Sequence, residues 1–252
     1  FYSTYKDDEI ATPLVTQLSW TNNLLILSGA KSKEERYFYL KLSIKNNYSK
    51  RELDRQISSA YYERYMLSNG NQLPTVNKTV DEDDYPNTRI LDTYSLEFLD
   101  LPNEFSEKDL KNAIINNLKD FILEVGKDFT FIGDEYRVQV GNHDFFIDLL
   151  FYNRELSCLV AFELKLGEFK AEYLGKMNLY LEALDRDVKK EQENPSVGVI
   201  LCSSKDEDVV EYSISKNMSQ TMISEYKLKL IDKKLLETKL KEMKNLIDNN
   251  DK

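Results

Sequence analysis

The chain has 252 residues, with 34 basic and 44 acidic side chains and a formal net charge of −10. This length allows one or two domains with well-buried cores, and the acidic balance excludes a uniformly basic nucleic-acid-coating protein. No apolar run approaches the roughly 20 residues of a membrane-spanning helix. Cys158 and Cys202 lie in separate apolar runs. We therefore expect two buried free thiols and a soluble, cytoplasmic protein.

The amino-terminal part of the chain predicts short helices. No periodic pattern occupies residues 1–18. Ser32 and Ser49 each precede a glutamate by three residues, a spacing that is typical of a capped helix start. Gly29 is suited to ending the helix before them. The predicted helices cover residues 21–27, 32–44 and 49–67. They predict a small all-α domain over residues 1–69.

Positive charge is concentrated in this predicted domain. Residues 31–65 hold nine basic against five acidic side chains, whereas residues 71–109 hold three against ten. Lys50, Arg51 and Arg55 lie near the start of the third predicted helix. Two interpretations remain open for them: a helix-turn-helix-like module that contacts DNA phosphates, or a small bundle with a solvated basic face.

Residues 70–105 predict an acidic linker, because they hold three of the five prolines and an acidic run. The segment from Tyr94 within it is compatible with a strand or a helical turn. From Ser106 to the end, residues 106–252, helical and strand patterns alternate and predict an α/β domain. The expected elements are a helix at 106–125, a strand pair or one bent strand at 128–140, strands either side of a turn at 153–157, a helix at 171–184, a strand at 196–203, a helix at 206–216, a strand at 222–230 and a helix at 233–246.

Charged residues interrupt the two apolar strands around that turn. Asp148 lies in the first strand, and Glu163 and Lys165 share one face of the second. Two registers align the faces: Asp148 opposite Glu163, or Asp148 opposite Ala161 with Glu163 on the diagonal. Both registers bring the two carboxylates within reach of each other.

The two carboxylates predict a metal site. Ionised carboxylates on an apolar sheet repel each other and lose hydration, so a divalent cation would stabilise them. A small set of hard oxygen donors suits Mg²⁺ or Mn²⁺, and Lys165 would add a positive charge beside the metal. The next helix follows almost directly. Its face with Lys176 and Tyr180 is therefore predicted to contact a phosphate backbone, with surface solvation of Lys176 as the alternative.

An Asp followed one strand later by Glu-X-Lys resembles the motif of the PD-(D/E)XK nuclease superfamily. The surrounding residues, DFFIDLLFYNRELSCLVAFELKLGEFKAEYLGKMNLYLEALD, are similar to the carboxy-terminal domain of YhcG-like bacterial proteins, over about residues 106–230. The stretches QLSWTNNLLIL and YSKRELDRQISSAYYERY resemble the helical amino-terminal domain of the same family. Because such proteins carry further helices before this point, we expect the chain, which begins at Phe1, to be a piece of a longer protein.

The resemblance implies a restriction-endonuclease-like α/β core, with a mixed central sheet flanked by helices, and a small all-α amino-terminal domain. It implies a metal-dependent DNA endonuclease in which Asp148, Glu163 and the main-chain carbonyl of Leu164 hold Mg²⁺ or Mn²⁺. Lys165 would orient the attacking water and stabilise the transition state, by charge rather than as a base. The implied partners are DNA, a second copy of the chain, and restriction-modification or other defence proteins.

The chain departs from the family pattern at two positions. Lys111 occupies the place of a glutamate in the first helix of the nuclease domain, which leaves Glu124 and Glu135 as alternatives. Lys176 or Asn178 occupies the place of a glutamine after the Glu-X-Lys strand. The sequence therefore leaves a second function open: a non-catalytic DNA-binding or assembly module on a nuclease fold.

Overall fold

The computed structural model describes Tyr5 and residues 11–68, 90–214 and 220–250. The chain divides into two compact units. One contains the amino-terminal helices and the carboxy-terminal helix, and the other contains a β-sheet with its flanking helices. Most of the predicted linker lies outside the described residues, as do the last residues of the helix predicted at 206–216.

Short helices make up the amino-terminal part of the first unit. They are α1 (Ala11–Val15), α2 (Trp20–Gly29), α3 (Lys33–Asn46), α4 (Lys50–Ser58) and α5 (Tyr61–Leu67). The side chain of Ser32 accepts a hydrogen bond from the amide of Glu35, and Ser49 forms a full capping box with Glu52. Both predicted helix starts are therefore confirmed, whereas α1 lies where no helix was predicted.

The third predicted helix is broken into α4 and α5. Ala60 lies between them with φ of 53°, a left-handed conformation that strains a residue with a Cβ. The buried guanidinium of Arg64 stabilises the chain at this break. Its Nε donates to the carbonyl of Ser59 at 3.0 Å and its Nη2 to the Ser59 hydroxyl at 2.9 Å. The hydrophobic spacing did not reveal this side-chain interaction, so the prediction of one continuous helix is wrong.

The second unit is built on a six-stranded sheet in the order β1-β6-β5-β4-β3-β2. Its strands are β1 (Thr93–Ser95), β2 (Phe129–Val140), β3 (His143–Asn153), β4 (Cys158–Leu164), β5 (Val197–Cys202) and β6 (Thr221–Lys227). The strands β2, β3 and β4 are antiparallel, whereas β4, β5, β6 and β1 are parallel. The helices of this unit are α6 (Glu107–Asn116), α7 (Leu118–Val125), α8 (Glu172–Asp187) and α9 (Glu207–Ile214). The predicted mixed sheet flanked by helices is confirmed.

Two local predictions change in this unit, and one open alternative is decided. The predicted linker ends earlier than residue 105, because β1 pairs with β6 at the edge of the sheet. The single helix predicted at 106–125 is two helices, α6 and α7, which meet at Asn117. Residues 128–140 form one bent strand rather than a pair, with a bulge between Phe131 and Gly133.

Two apolar layers cover the faces of the sheet. One face carries a cluster of phenylalanines in tilted and edge-to-face contact. It includes Phe121 of α7, Phe151 of β3 and Phe162 of β4, with ring centroids 5.4–5.8 Å apart. The other face packs against α8, where Met177 lies over Gly198 of β5. Because side chains alternate along a strand, the charged residues of β3 and β4 share the α8 face.

The last helix, α10 (Lys233–Asn250), belongs to the first unit. Nζ of Lys233 contacts Oε1 of the buried Glu35 at 2.6 Å and Oε1 of the buried Glu63 at 3.5 Å. Burial raises the pKa of Glu63, and the charge of Lys233 opposes this rise. The two carboxylates thus hold the start of α10 in place.

Cys158 and Cys202 are buried free thiols, as predicted. Each helix in the described part of the chain is too short or too polar to cross a membrane.

Candidate active site

The register between β3 and β4 places the two predicted carboxylates side by side. Leu149 lies opposite Phe162 in the antiparallel ladder. Continuing this register by one residue places Asp148 opposite Glu163, so the first of the two predicted registers is confirmed. The alternative, Asp148 opposite Ala161, is wrong.

The side chain of Asp148 lies just beyond the last residue pair of the β3–β4 ladder and bonds to the end of β4. Its Oδ2 accepts a 2.8 Å hydrogen bond from the backbone amide of Leu164. Burial raises the pKa of Asp148, and the negative charge of Glu163 raises it further, while the Leu164 hydrogen bond and nearby lysines oppose the rise. Two acidic groups therefore share one poorly hydrated place, which is costly without added positive charge.

Glu163 supplies the most buried charge of the site, with a side chain only 1% exposed. Its Oε1 contacts Nζ of Lys165 at 2.9 Å and Nζ of Lys176 at 2.6 Å. Its Oε2 is buried and has no hydrogen-bond partner among the described residues. A buried carboxylate oxygen without a donor loses its hydration uncompensated, so this atom is suited to an additional cation.

Three oxygen-bearing groups contact the ammonium group of Lys165. In addition to Glu163, its Nζ contacts the main-chain oxygen of Leu164 at 3.1 Å and Oε2 of Glu107 at 3.3 Å. Burial acts to lower the pKa of Lys165, but the hydrogen bond and charge of Glu163 outweigh it, so the pKa is raised. The ammonium group therefore stays charged at neutral pH.

Glu107 is a site residue that the sequence prediction missed. It lies in the first turn of α6, where Ser106 and Asp109 form a capping box. Its Oε1 accepts from the amide of Leu166 at 3.3 Å, while Oε2 contacts Lys165. The sequence did contain a signal for it: Glu107 directly follows the helix cap Ser106 and lies one turn before Lys111.

The alternatives named for the helix glutamate have other partners. Lys111 forms an ion pair with Glu135. Glu124 is buried and accepts a 2.7 Å hydrogen bond from the amide of Ser95, in β1. The carboxylate that contacts Lys165 from the first helix of this unit is therefore Glu107, not Glu124 or Glu135.

Helix α8 contributes Lys176 and Tyr180 to the surroundings of Glu163. Burial acts to lower the pKa of Lys176, but its hydrogen bond to Glu163 dominates and the pKa is raised. The Lys176 ammonium also lies 5.3 Å from the centre of the Tyr180 ring. Tyr180 is 0% exposed, and its hydroxyl donates to the carbonyl of Phe146. A fully buried ring has no surface for nucleic acid, so the contact predicted for Tyr180 is wrong.

The other residues predicted to contact nucleic acid lie on the first unit. Lys50 and Arg51 are exposed in the first turn of α4, and Arg55 is half-buried one turn later. They form no part of the carboxylate cluster described above, and their contact with DNA stays a prediction.

Residues 87–241 match the YhcG PDDEXK nuclease domain family. The chain belongs to this nuclease family. Residues 1–64 match a second family, the DUF1016 N-terminal domain. YhcG of Escherichia coli (strain K12), a candidate nuclease, is 37% identical over 215 residues. The match covers 85% of this chain and 57% of YhcG, so the chain spans less than two thirds of that relative.

Solved structures give weaker similarity. A repair endonuclease from Pyrococcus abyssi matches with a TM-score of 0.34 and 19% identity, over 52% of this chain and 50% of that one. An EndoMS-dsDNA2 complex matches with a TM-score of 0.36 and 17% identity, over 50% of this chain and 47% of that one.

The donor set of this YhcG-family domain fits a hard divalent cation. The described part of the chain holds no group of three or more histidine, cysteine, aspartate or glutamate residues placed around one metal position. Asp148, Glu163 and the Leu164 carbonyl supply oxygen atoms only, and Oε2 of Glu163 has no donor. A set made only of oxygen donors suits Mg²⁺ or Mn²⁺ better than zinc, which prefers nitrogen and sulfur.

Proposed function

We propose that the chain is a metal-dependent DNA endonuclease, which hydrolyses phosphodiester bonds with Asp148, Glu163 and Lys165. The observation that carries this proposal is the buried Glu163, which lies beside Asp148 with one oxygen bound to lysines and the other without a partner. Such an arrangement is costly for folding. Buried carboxylates of this kind are typical of functional sites, where a ligand compensates the charge.

Each residue has a distinct role in this proposal. Asp148, Glu163 and the main-chain oxygen of Leu164 hold Mg²⁺ or Mn²⁺. When bound, this ion neutralises the phosphate and makes water more acidic. Lys165 orients the attacking water and stabilises the negative charge that develops on the phosphate oxygens. Its ion pairs with Glu163 and Glu107 favour the charged ammonium form, which supports an electrostatic role, because a general base must lose its proton easily.

Glu107 acts as a positioning residue for Lys165. It joins the first turn of α6 to Nζ of Lys165 and to the amide of Leu166. These contacts add a second carboxylate partner to the end of the Lys165 side chain. Groups that hold a reacting residue in place commonly change activity by about 10–100-fold.

The first unit would supply additional affinity for DNA. Lys50 and Arg51 are exposed where α4 begins, and a helix amino terminus favours anions. Replacing Lys50, Arg51 and Arg55 with alanine should weaken DNA binding and flatten its dependence on salt. Unchanged affinity and slope at several salt concentrations would exclude this role.

A homodimer would place two such sites on one duplex, one for each strand. Sedimentation of the chain with and without a DNA duplex tests this assembly. Partners from restriction-modification or other defence systems would then direct the nuclease to its target, which co-purification from a bacterial host would reveal.

One observation favours the second candidate function, a non-catalytic DNA-binding or assembly module. Lys165 and Lys176 both contact Glu163, so two ammonium groups already neutralise the charge of this buried carboxylate. Such a pair of ion pairs can also be a purely structural feature of the sheet.

Cleavage of supercoiled plasmid and of single-stranded DNA separates the two functions. The assay compares Mg²⁺, Mn²⁺ and EDTA, and the chain with Asp148→Ala and Lys165→Ala variants. Asp144→Ala is the matched control, since Asp144 lies in the same strand but is exposed and paired with Arg137. The nuclease requires metal-dependent cleavage that both site variants lose and the control keeps. Retained DNA binding without cleavage under every condition favours the non-catalytic module.

A further inference from the structure

The two lysines at Glu163 differ in how firmly they are held. The side chain of Lys165 is 14% exposed and also contacts Glu107 and the Leu164 carbonyl. The side chain of Lys176 is 47% exposed. A half-exposed lysine can exchange a buried partner for water at small cost, because its ammonium is strongly hydrated and its stem is flexible. Lys176 is therefore the more easily released of the two.

A divalent cation at this site would compete directly with Lys176. Both need Oε1 or the neighbouring Oε2 of Glu163. With Asp148 and Glu107, the cluster holds three carboxylates against two ammonium groups. A divalent cation would change the net charge of this poorly hydrated cluster from −1 to +1, and the departure of one ammonium group restores neutrality. The additional contacts of Lys165 oppose its departure, so Lys176 is the ammonium group that leaves.

We propose that Lys176 is a placeholder cation, which holds Glu163 in the metal-free chain and moves to a DNA phosphate when a divalent cation takes its place. This inference rests on the proposed nuclease function and adds a conformational step to it. The ring of Tyr180, fixed by its hydrogen bond to Phe146, supports the resting position of the ammonium group. The released ammonium group stays on the same helix face, beside the metal site.

The direct test is the chemical reactivity of Lys176 in the unaltered chain. An amine-acetylating reagent is applied to the metal-free chain, then with saturating Mn²⁺, then with Ca²⁺ and a DNA duplex, and each lysine is quantified by mass spectrometry. We expect Lys176 to react slowly without metal, faster with Mn²⁺, and slowly again with DNA. Lys165 should stay slow throughout. The exposed Lys170, six residues earlier, is the internal reference.

A second test uses the Lys176→Met variant, with Lys170→Met as the matched loss of one charge. Removing the competing ammonium should tighten Mn²⁺ binding by up to about fivefold, the upper range for a partly exposed ion pair. The same variant should lose the part of DNA affinity that Ca²⁺ adds, and its affinity in EDTA should fall no further than that of Lys170→Met. Lys170→Met should alter neither Mn²⁺ binding nor the part of DNA affinity that Ca²⁺ adds.

The outcomes separate this inference from the function on which it rests. Calorimetry that detects Mn²⁺ binding, together with unchanged Lys176 reactivity, overturns the placeholder role and leaves the nuclease proposal standing. Absence of Mn²⁺ binding to the unaltered chain overturns both. Tighter Mn²⁺ binding in Lys176→Met without the change in reactivity indicates a simple charge effect and also overturns the placeholder role.

Discussion

The backbone amide of Leu164 donates a 2.8 Å hydrogen bond to Oδ2 of Asp148, so a side chain of β3 holds the last residue of β4. This bond fixes the carboxylate where the two strands separate. It also leaves the charge of Asp148 close to that of Glu163 in a poorly hydrated place, which raises the pKa of Asp148. The site is therefore expected to reduce the stability of the fold.

Asp148→Asn should stabilise the chain at neutral pH, by about 0.5–2 kcal/mol in the free energy of unfolding. The amide oxygen of asparagine can still accept the Leu164 hydrogen bond, while the repulsion by Glu163 is removed. The folded pKa of Asp148 lies above its ordinary value near 3.8, so its ionisation opposes folding. The gain should be absent below that value and should grow as pH rises through the folded pKa.

Denaturant unfolding at several pH values measures this gain. Asp144→Asn is the control, because Asp144 is exposed and its loss should change stability by no more than about 0.5 kcal/mol. A destabilised Asp148→Asn variant at neutral pH would show that Asp148 contributes to folding rather than opposing it.

Lys165→Arg should retain part of the cleavage activity, whereas Lys165→Met should lose about 10²-fold or more. Arginine keeps the positive charge and the ability to donate to Glu163, but it cannot act as a base at neutral pH. The comparison therefore distinguishes an electrostatic role from proton abstraction. Rates at saturating metal and DNA decide it, and equal loss in both variants would argue against the electrostatic role.

The charged face of the hairpin could be predicted because strand alternation depends on local sequence alone. Asp148, Glu163 and Lys165 share a face wherever β3 and β4 pair in register. Glu107 could not be placed in this way. It lies far earlier in the chain. The helix start at Ser106 was predicted, but the contacts of Glu107 with Lys165 and Leu166 are long-range and leave no local pattern.

The orientation of α8 was also not determined by its sequence. Lys176 and Tyr180 share a helix face, which suggested that both contact solvent and DNA. Met177 packs over Gly198, where the sheet lacks a side chain, and this close approach brings Tyr180 into the core. Lys176 then extends along the same face to Glu163. The small residue that allows this packing lies in a different strand, so the helix pattern carried no sign of it.

Replacing Glu107 with alanine should lower kcat by about 10–100-fold with little change in KM for DNA. The substitution removes a contact of Lys165 but leaves its pairing with Glu163 intact. Glu107→Gln should recover part of the loss, because the amide oxygen can still accept from Leu166. Glu104→Ala, an exposed glutamate just before the same helix, should behave as the unaltered chain. A melting temperature that falls in step with kcat would indicate a structural role instead.

Gly198→Ala should destabilise the second unit, and Gly175→Ala should stabilise it. A Cβ at Gly198 would lie 2.5 Å from Cγ and Sδ of Met177, and such overpacking costs about 1–3 kcal/mol. A Cβ at Gly175, within α8, meets nothing within 4 Å, and replacing a helical glycine with alanine gains about 0.5–1 kcal/mol.

Thermal unfolding of the two glycine variants, and of Gly198→Ala combined with Met177→Ala, tests whether this contact positions α8. The double variant should lose less stability than the sum of its single changes, because the smaller side chain makes room for the new methyl group. Displacement of α8 in Gly198→Ala should also weaken the ion pair between Lys176 and Glu163, and acetylation of Lys176 should then be faster without metal. Additive stability losses together with unaltered Lys176 reactivity would contradict a positioning role for Gly198.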